Sequence, residues 1–126
     1  MMMTKEHIHR IHRLAHREWT AAARKLDLSF NEFEYLSAVQ AEEDRMRIED
    51  AHGQHLQDIV ATLGVTKASA STMIAKLEGR GLVTRFQCQV DARAQHIVLT
   101  DAGRALMAQG EAVYERVAAR LNSTNE

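Results

Sequence analysis

A mainly α-helical fold with one small β-hairpin is what the sequence predicts, and three observations predict it. Proline is absent and aromatic residues make up only 5% of the chain, which disfavours a strand-rich sandwich. Five stretches place apolar residues at helical spacing. Only between Leu82 and Thr100 does the pattern change, to an alternation interrupted by a polar loop. Helix, tight turn, helix and hairpin, in that order, make a winged helix-turn-helix. The N- and C-terminal helices around it are suited to holding two copies together.

The 126 residues suffice for one domain with a real core, so 1–126 is expected to be a single domain. Within it, residues 4–28 and 101–121 would be the dimerisation helices and 29–100 the winged helix-turn-helix. A net charge of -1 shows no global basic field, although a local patch can sit inside a balanced total. The single Cys88 excludes an internal disulfide and a cysteine-based zinc cluster. Apolar runs are too short for a membrane span and no signal-peptide pattern is present, so a cytoplasmic location is expected.

The first helix runs from Thr4 to Leu26. Ile8, Ile11, Ala15, Trp19, Ala22 and Leu26 form one apolar stripe, while Lys5, Arg10, Arg13, Arg17, Arg24 and Lys25 line the other faces. The near-heptad spacing leans toward helix pairing, which makes Ile8, Ile11, Ala15 and Trp19 dimerisation candidates. His9, His12 and His16 flank the stripe, and His12 and His16 have the i, i+4 spacing of a chelating pair. With no acidic or cysteine partner on that face, a solvated flank is the plainer interpretation. No metal or other cofactor is expected, and without a nucleophile or general base beside the histidines neither is enzyme activity.

A second helix opens at Leu28-Ser29-Phe30-Asn31-Glu32-Phe33, where Ser29 can cap, Glu32 can reach back and Leu28 can staple to Phe33. Phe33, Leu36 and Val39 continue an inward face with Tyr35 beside them. The following run from Glu42 to Asp50, dense in both charges, reads as a solvated face or loop ending at Gly53.

Leu56, Ile59, Val60 and Leu63 then give a short helix; Gly64 permits the turn and Val65 plugs the junction. Thr66 caps the next helix, on which Ala70, Met73, Ile74 and Leu77 should be buried. Its opposite side is small and hydroxyl-rich: Ala68, Thr72, Ala75 and Gly79, edged by Ser69, Ser71 and Lys76, with Lys67 at the start. Hydroxyls can bond phosphates or base edges, and alanine methyls can touch thymine methyls in a major groove. In the hairpin, Ile97 and Leu99 alternate with His96 and Val98. At its tip Asp91 can hold Arg93 in place, which suits insertion into a narrow minor groove. Cys88, on the wing strand, reads as a bystander.

Taken together, Leu63-Gly64-Val65-Thr66, Leu77-Glu78 with Gly81-Leu82-Val83 and Arg85, Asp91 with Arg93, and Leu99-Thr100 with Gly103 resemble the MarR family of winged-helix regulators. The likeness covers roughly residues 5 to 121, most strongly 55 to 103. It implies a homodimer whose recognition helices enter successive major grooves while wing arginines reach flanking minor grooves. It also implies a repressor relieved by a small aromatic or anionic ligand bound between the DNA-binding and dimerisation regions. The candidate DNA contacts are Thr66, Lys67, Ala68, Ser69, Ser71, Thr72, Lys76, Arg85, Asp91 and Arg93. Leu106, Val113, Val117 and Leu121 on the last helix, Asp101 to Leu121, join the dimerisation set.

Three features depart from the family pattern. Phe86, Gln87, Cys88 and Ala92 stand where relatives often carry a base, so fewer phosphate contacts and a shallower salt dependence are expected. Residues 40 to 54 form a longer stretch than usual, and one helix follows the wing where many relatives have more. The partners expected are double-stranded DNA, a second copy of the chain and an effector ligand, with no membrane. The alternative is a winged-helix protein-interaction module with weak or no DNA binding.

Overall fold

A computed structural model describes residues 2–49, 55–87 and 95–123, without the side chains of 45–49. The order of elements is α1 (Lys5–Leu26), α2 (Phe30–Glu49), α3 (Leu56–Leu63), α4 (Lys67–Gly79), β1 (Val83–Gln87), β2 (Gln95–Leu99) and α5 (Asp101–Ser123). The two strands pair antiparallel, with Val83 opposite Leu99 and Gln87 opposite Gln95. The mainly helical fold with a small hairpin is therefore the one the sequence predicts. Two compact units can be distinguished, Met1–Phe30 with Ala108–Glu126, and Asn31–Met107.

In the first unit, α1 begins with a capping box in which a histidine takes the place usual for a glutamate. Thr4 Oγ1 accepts the His7 N–H at 3.3 Å, and His7 Nδ1 accepts the Thr4 N–H at 3.2 Å. The helix ends at Asp27, which takes a left-handed conformation (φ 50, ψ 48) and donates its N–H to the Ala23 carbonyl. Trp19 is buried edge-on to Phe30, with ring centroids 5.8 Å apart, and lies 6.0 Å from Tyr114. Glu18 accepts from Arg120 at 3.0 Å and lies 3.7 Å from Arg116. Both arginines are more than half exposed, so these pairs contribute at most about 1 kcal/mol.

The second unit is packed around Leu36, Val39, Ile59, Ala70, Ile74 and Leu77, all fully buried. Phe33, Tyr35, Leu82, Val83, Ile97 and Leu99 extend this core. Burial raises the Tyr35 phenol above its ordinary pKa. Gly64, at φ 67, makes the left-handed turn between α3 and α4 that a side chain would strain. Thr100 Oγ1 donates to the Gly81 carbonyl at 2.6 Å and accepts the Gly103 N–H at 3.0 Å, joining the turn before β1 to the start of α5. A Cβ at Gly103 would collide with the Leu82 carbonyl oxygen, which explains why glycine stands three residues after Thr100.

Two expectations are corrected. The charged run after Gln40 is not a solvated face or loop at its start: α2 continues through it to Glu49, and Glu42 is buried. Thr62 donates to Glu42 at 3.0 Å, while Glu43 accepts the Leu99 backbone N–H at 2.7 Å and pairs with Arg104 at 2.9 Å. These carboxylates are kept because each meets a donor from another element, the condition for burying a charge. Gly53 lies outside the described residues. In β2, His96 does not alternate outward but is buried beside Ile97. Its ring stacks on Phe86 at 4.9 Å and meets His55 edge-on at 5.0 Å, so two aromatic neighbours cover it.

Candidate nucleic-acid interface

The candidate surface is one face of α4, and its geometry starts at the cap. Thr66 Oγ1 accepts the Ser69 N–H at 3.0 Å and donates to Ser69 Oγ at 2.9 Å. That cap fixes the first turn, where free N–H groups and the helix dipole favour an anion. Ala70, Ile74 and Leu77 are fully buried and Met73 is half-buried, which sets the rotation of the helix. Lys67, Ala68, Ser69, Ser71, Thr72, Ala75 and Lys76 are consequently exposed. None of these seven side chains is large and apolar or acidic, so another surface can approach the backbone closely.

The C-terminal half of α4 is held by two ion-pair groups that patterning did not reveal. Glu32, on α2, is only 4% exposed and accepts from Arg80 Nη1 at 2.7 Å, with Lys76 Nζ at 3.7 Å. Glu78 accepts from both Nε and Nη2 of Arg85, at 3.2 and 2.8 Å. The hydrogen bond from Arg85 holds the Glu78 carboxyl below the usual carboxylate range. Arg85 thus ties β1 to α4, and its guanidinium faces Glu78. The seven-residue spacing of Glu78 and Arg85 within the Leu77 to Arg85 motif was the available signal. For Glu32 and Arg80, 48 residues apart, the sequence offered none.

Asp91, Arg93 and Cys88 lie outside the described residues. Of the candidate dimerisation residues, Ile8 is 58% exposed. Ile11, Ala15, Leu106 and Leu121 are half-buried, while Trp19, Val113 and Val117 are buried within the chain. His9, His12 and His16 are all exposed, and Arg13 lies 3.2 Å from His9. Among the described residues no cluster of three or more His, Cys, Asp or Glu side chains could hold a metal. None of the helices described is long and apolar enough to cross a membrane.

Comparison with known proteins follows the same lines. The MarR family model matches residues 46–94, the segment that holds α3, α4 and the start of the hairpin. No curated protein sequence matches the chain. A mutant of Staphylococcus aureus MepR superposes with a TM-score of 0.79 at 20% identity, over 97% of this chain and 85% of that one. The S. aureus MepR–DNA complex gives 0.73 at 20% identity, covering 98% and 85%. CouR from Rhodococcus jostii, bound to p-coumaroyl-CoA, gives 0.69 at 21% identity, covering 90% and 73%. Residues 46–94 are therefore similar to the MarR family, and the chain shares the fold of MepR and CouR.

Proposed function

We propose that the protein is a transcriptional regulator that binds duplex DNA sequence-specifically, as a homodimer on a pseudo-palindromic operator, and acts as a ligand-responsive repressor. The observation that carries this is the exposed face of α4, where Lys67, Ala68, Ser69, Ser71, Thr72 and Lys76 surround a helix rotated by its buried Ala70, Ile74 and Leu77. A small, hydroxyl-bearing helix face of this kind fits a major groove, with its hydroxyls and ammonium groups reaching phosphates and base edges. The MepR–DNA complex supports the partner, and CouR with p-coumaroyl-CoA supports an effector. The reading assigns no catalytic role.

Titration of duplex affinity against salt tests it. Arg93→Ala is expected to weaken binding and lower the slope of log affinity against log salt by about one. Unchanged affinity and slope would remove Arg93 from the interface. For the homodimer, Ile8→Asp combined with Ile11→Asp should give a monomer in sedimentation; a variant that remains dimeric would move the interface elsewhere. A protein-interaction winged helix is the alternative, favoured by the acidic excess of the second unit, and it predicts no salt-dependent affinity for any duplex.

A further inference from the structure

The recognition helix offers only two cations, both lysines, and the unit that contains it carries 8 Lys and Arg against 11 Asp and Glu. The first unit has the opposite balance, 8 against 6, although nothing in the proposed function uses it. Much of that excess lies on one face of α1. Arg10, Arg13, Arg17 and Arg24 fall within about 60° of one another at the helical repeat, and all four are exposed. The ridge is opposite the apolar stripe of Ile8, Ile11, Ala15, Trp19 and Ala22, so it is not the face on which α1 packs. Of the two carboxylates in α1, Glu18 is taken by Arg116 and Arg120, and Glu6 sits at the ridge's N-terminal end. Among the described residues Arg17 and Arg24 have no ion-pair partner, and Arg13 Nη2 lies 3.2 Å from His9 Nε2.

From these observations we infer that the α1 ridge is a second phosphate-binding surface, which takes the backbone of duplex DNA without reading its sequence. This rests on the proposed function for its choice of polyanion. Arginine is the suited residue, since its planar fork grips a phosphate in two-point fashion where an ammonium makes a point contact. The ridge is lined by a groove of about 500 Å³ that also includes Leu14, Arg120 and Ser123. A second groove of about 490 Å³ shares Arg13 and Arg17 and reaches His16 and Arg24. From Arg10 to Arg24 the ridge is about 21 Å long, the axial length of about six phosphates on one strand. A protein partner would call for an apolar centre, and a membrane surface for apolar side chains along the same edge. Of the residues that line the two grooves only Leu14 and Ala21 are apolar, and none is Phe, Tyr or Trp. Such a surface would supply the non-specific attraction that a lysine-poor reading face and a wing short of basic residues lack.

The test compares the full chain with Arg13→Ala/Arg17→Ala/Arg24→Ala and with the matching triple lysine variant. Each would be titrated with random-sequence duplex across salt concentrations, with thermal melts as the fold control. The alanine variant is expected to bind random duplex at least tenfold more weakly at low salt. Its salt slope should fall by about 2 to 3, while the operator sequence it selects stays the same. The lysine variant should recover the slope and only part of the affinity. An alanine variant with unchanged affinity and slope overturns the ridge. So does one whose loss is of self-association in sedimentation, or of binding to phosphatidylserine vesicles, with duplex affinity intact. Lys67→Ala/Thr72→Ala separates the two proposals, because it should lose operator selection and keep ridge-dependent affinity. A wild-type chain that selects no sequence yet binds random duplex through the three arginines would overturn the proposed function and leave the ridge standing.

Discussion

The two compact units handle their carboxylates in opposite ways. In the first, Glu18 spans Arg116 and Arg120 at a surface where both arginines are more than half exposed. In the second, Glu32, Glu42 and Glu43 rise from α2 with their side chains nearly out of solvent and meet α4, α3, β2 and the start of α5. Coulomb attraction at the surface is screened and partly offset by side-chain entropy. A buried acceptor is different, since removing it leaves a donor with no water to turn to. The unit that holds the candidate reading face is therefore pinned in register by polar contacts, whereas the α1 unit rests on aromatic and aliphatic packing.

The largest expected effect is at the seam of the second unit. Gly103→Ala pushes a methyl into the Leu82 carbonyl, a backbone atom that cannot rotate aside. It should cost about 3 kcal/mol in denaturant unfolding. Next, Glu43→Ala strips the acceptor from the Leu99 N–H and the partner from Arg104, and should cost about 2 kcal/mol. Glu18→Ala, by contrast, should cost less than about 1 kcal/mol. Equal losses for Glu43→Ala and Glu18→Ala would erase the distinction between the units.

The smallest effect is a pH dependence. Arg85 lowers the folded pKa of Glu78, so the pair's contribution is present above the ordinary carboxylate range and lost as pH falls through the folded value. Glu78→Gln should thus melt slightly below the wild type at neutral pH, and the gap should close in acid. A gap that widens in acid would reverse the sign assigned to the pair.

Much of this fold was legible in sequence because apolar spacing reports burial directly. Ala70, Ile74 and Leu77 named the inner side of α4, Thr66 its cap, and Gly64 the turn. What stayed hidden was polar. Glu43 sits in a run of charges that local pattern assigns to solvent, and its backbone donor is 56 residues away. His96 looked outward by alternation, yet Phe86 and His55 close over it. Nothing in the sequence marks His7 as the residue whose Nδ1 completes the Thr4 cap. In each case the partner, and not the residue itself, decides the environment, and a single sequence does not show which residues will meet.

The candidate reading face of α4 is tested most directly by selection from a pool of random duplexes, using the wild type beside Ala68→Glu/Thr72→Glu. The wild type should enrich a pseudo-palindrome with half-sites about one helical turn apart. The variant, whose substitutions are exposed and leave the core intact, should enrich nothing. A wild type that enriches no sequence, or a variant that enriches the same one, would contradict the assignment of α4 as the element that reads DNA.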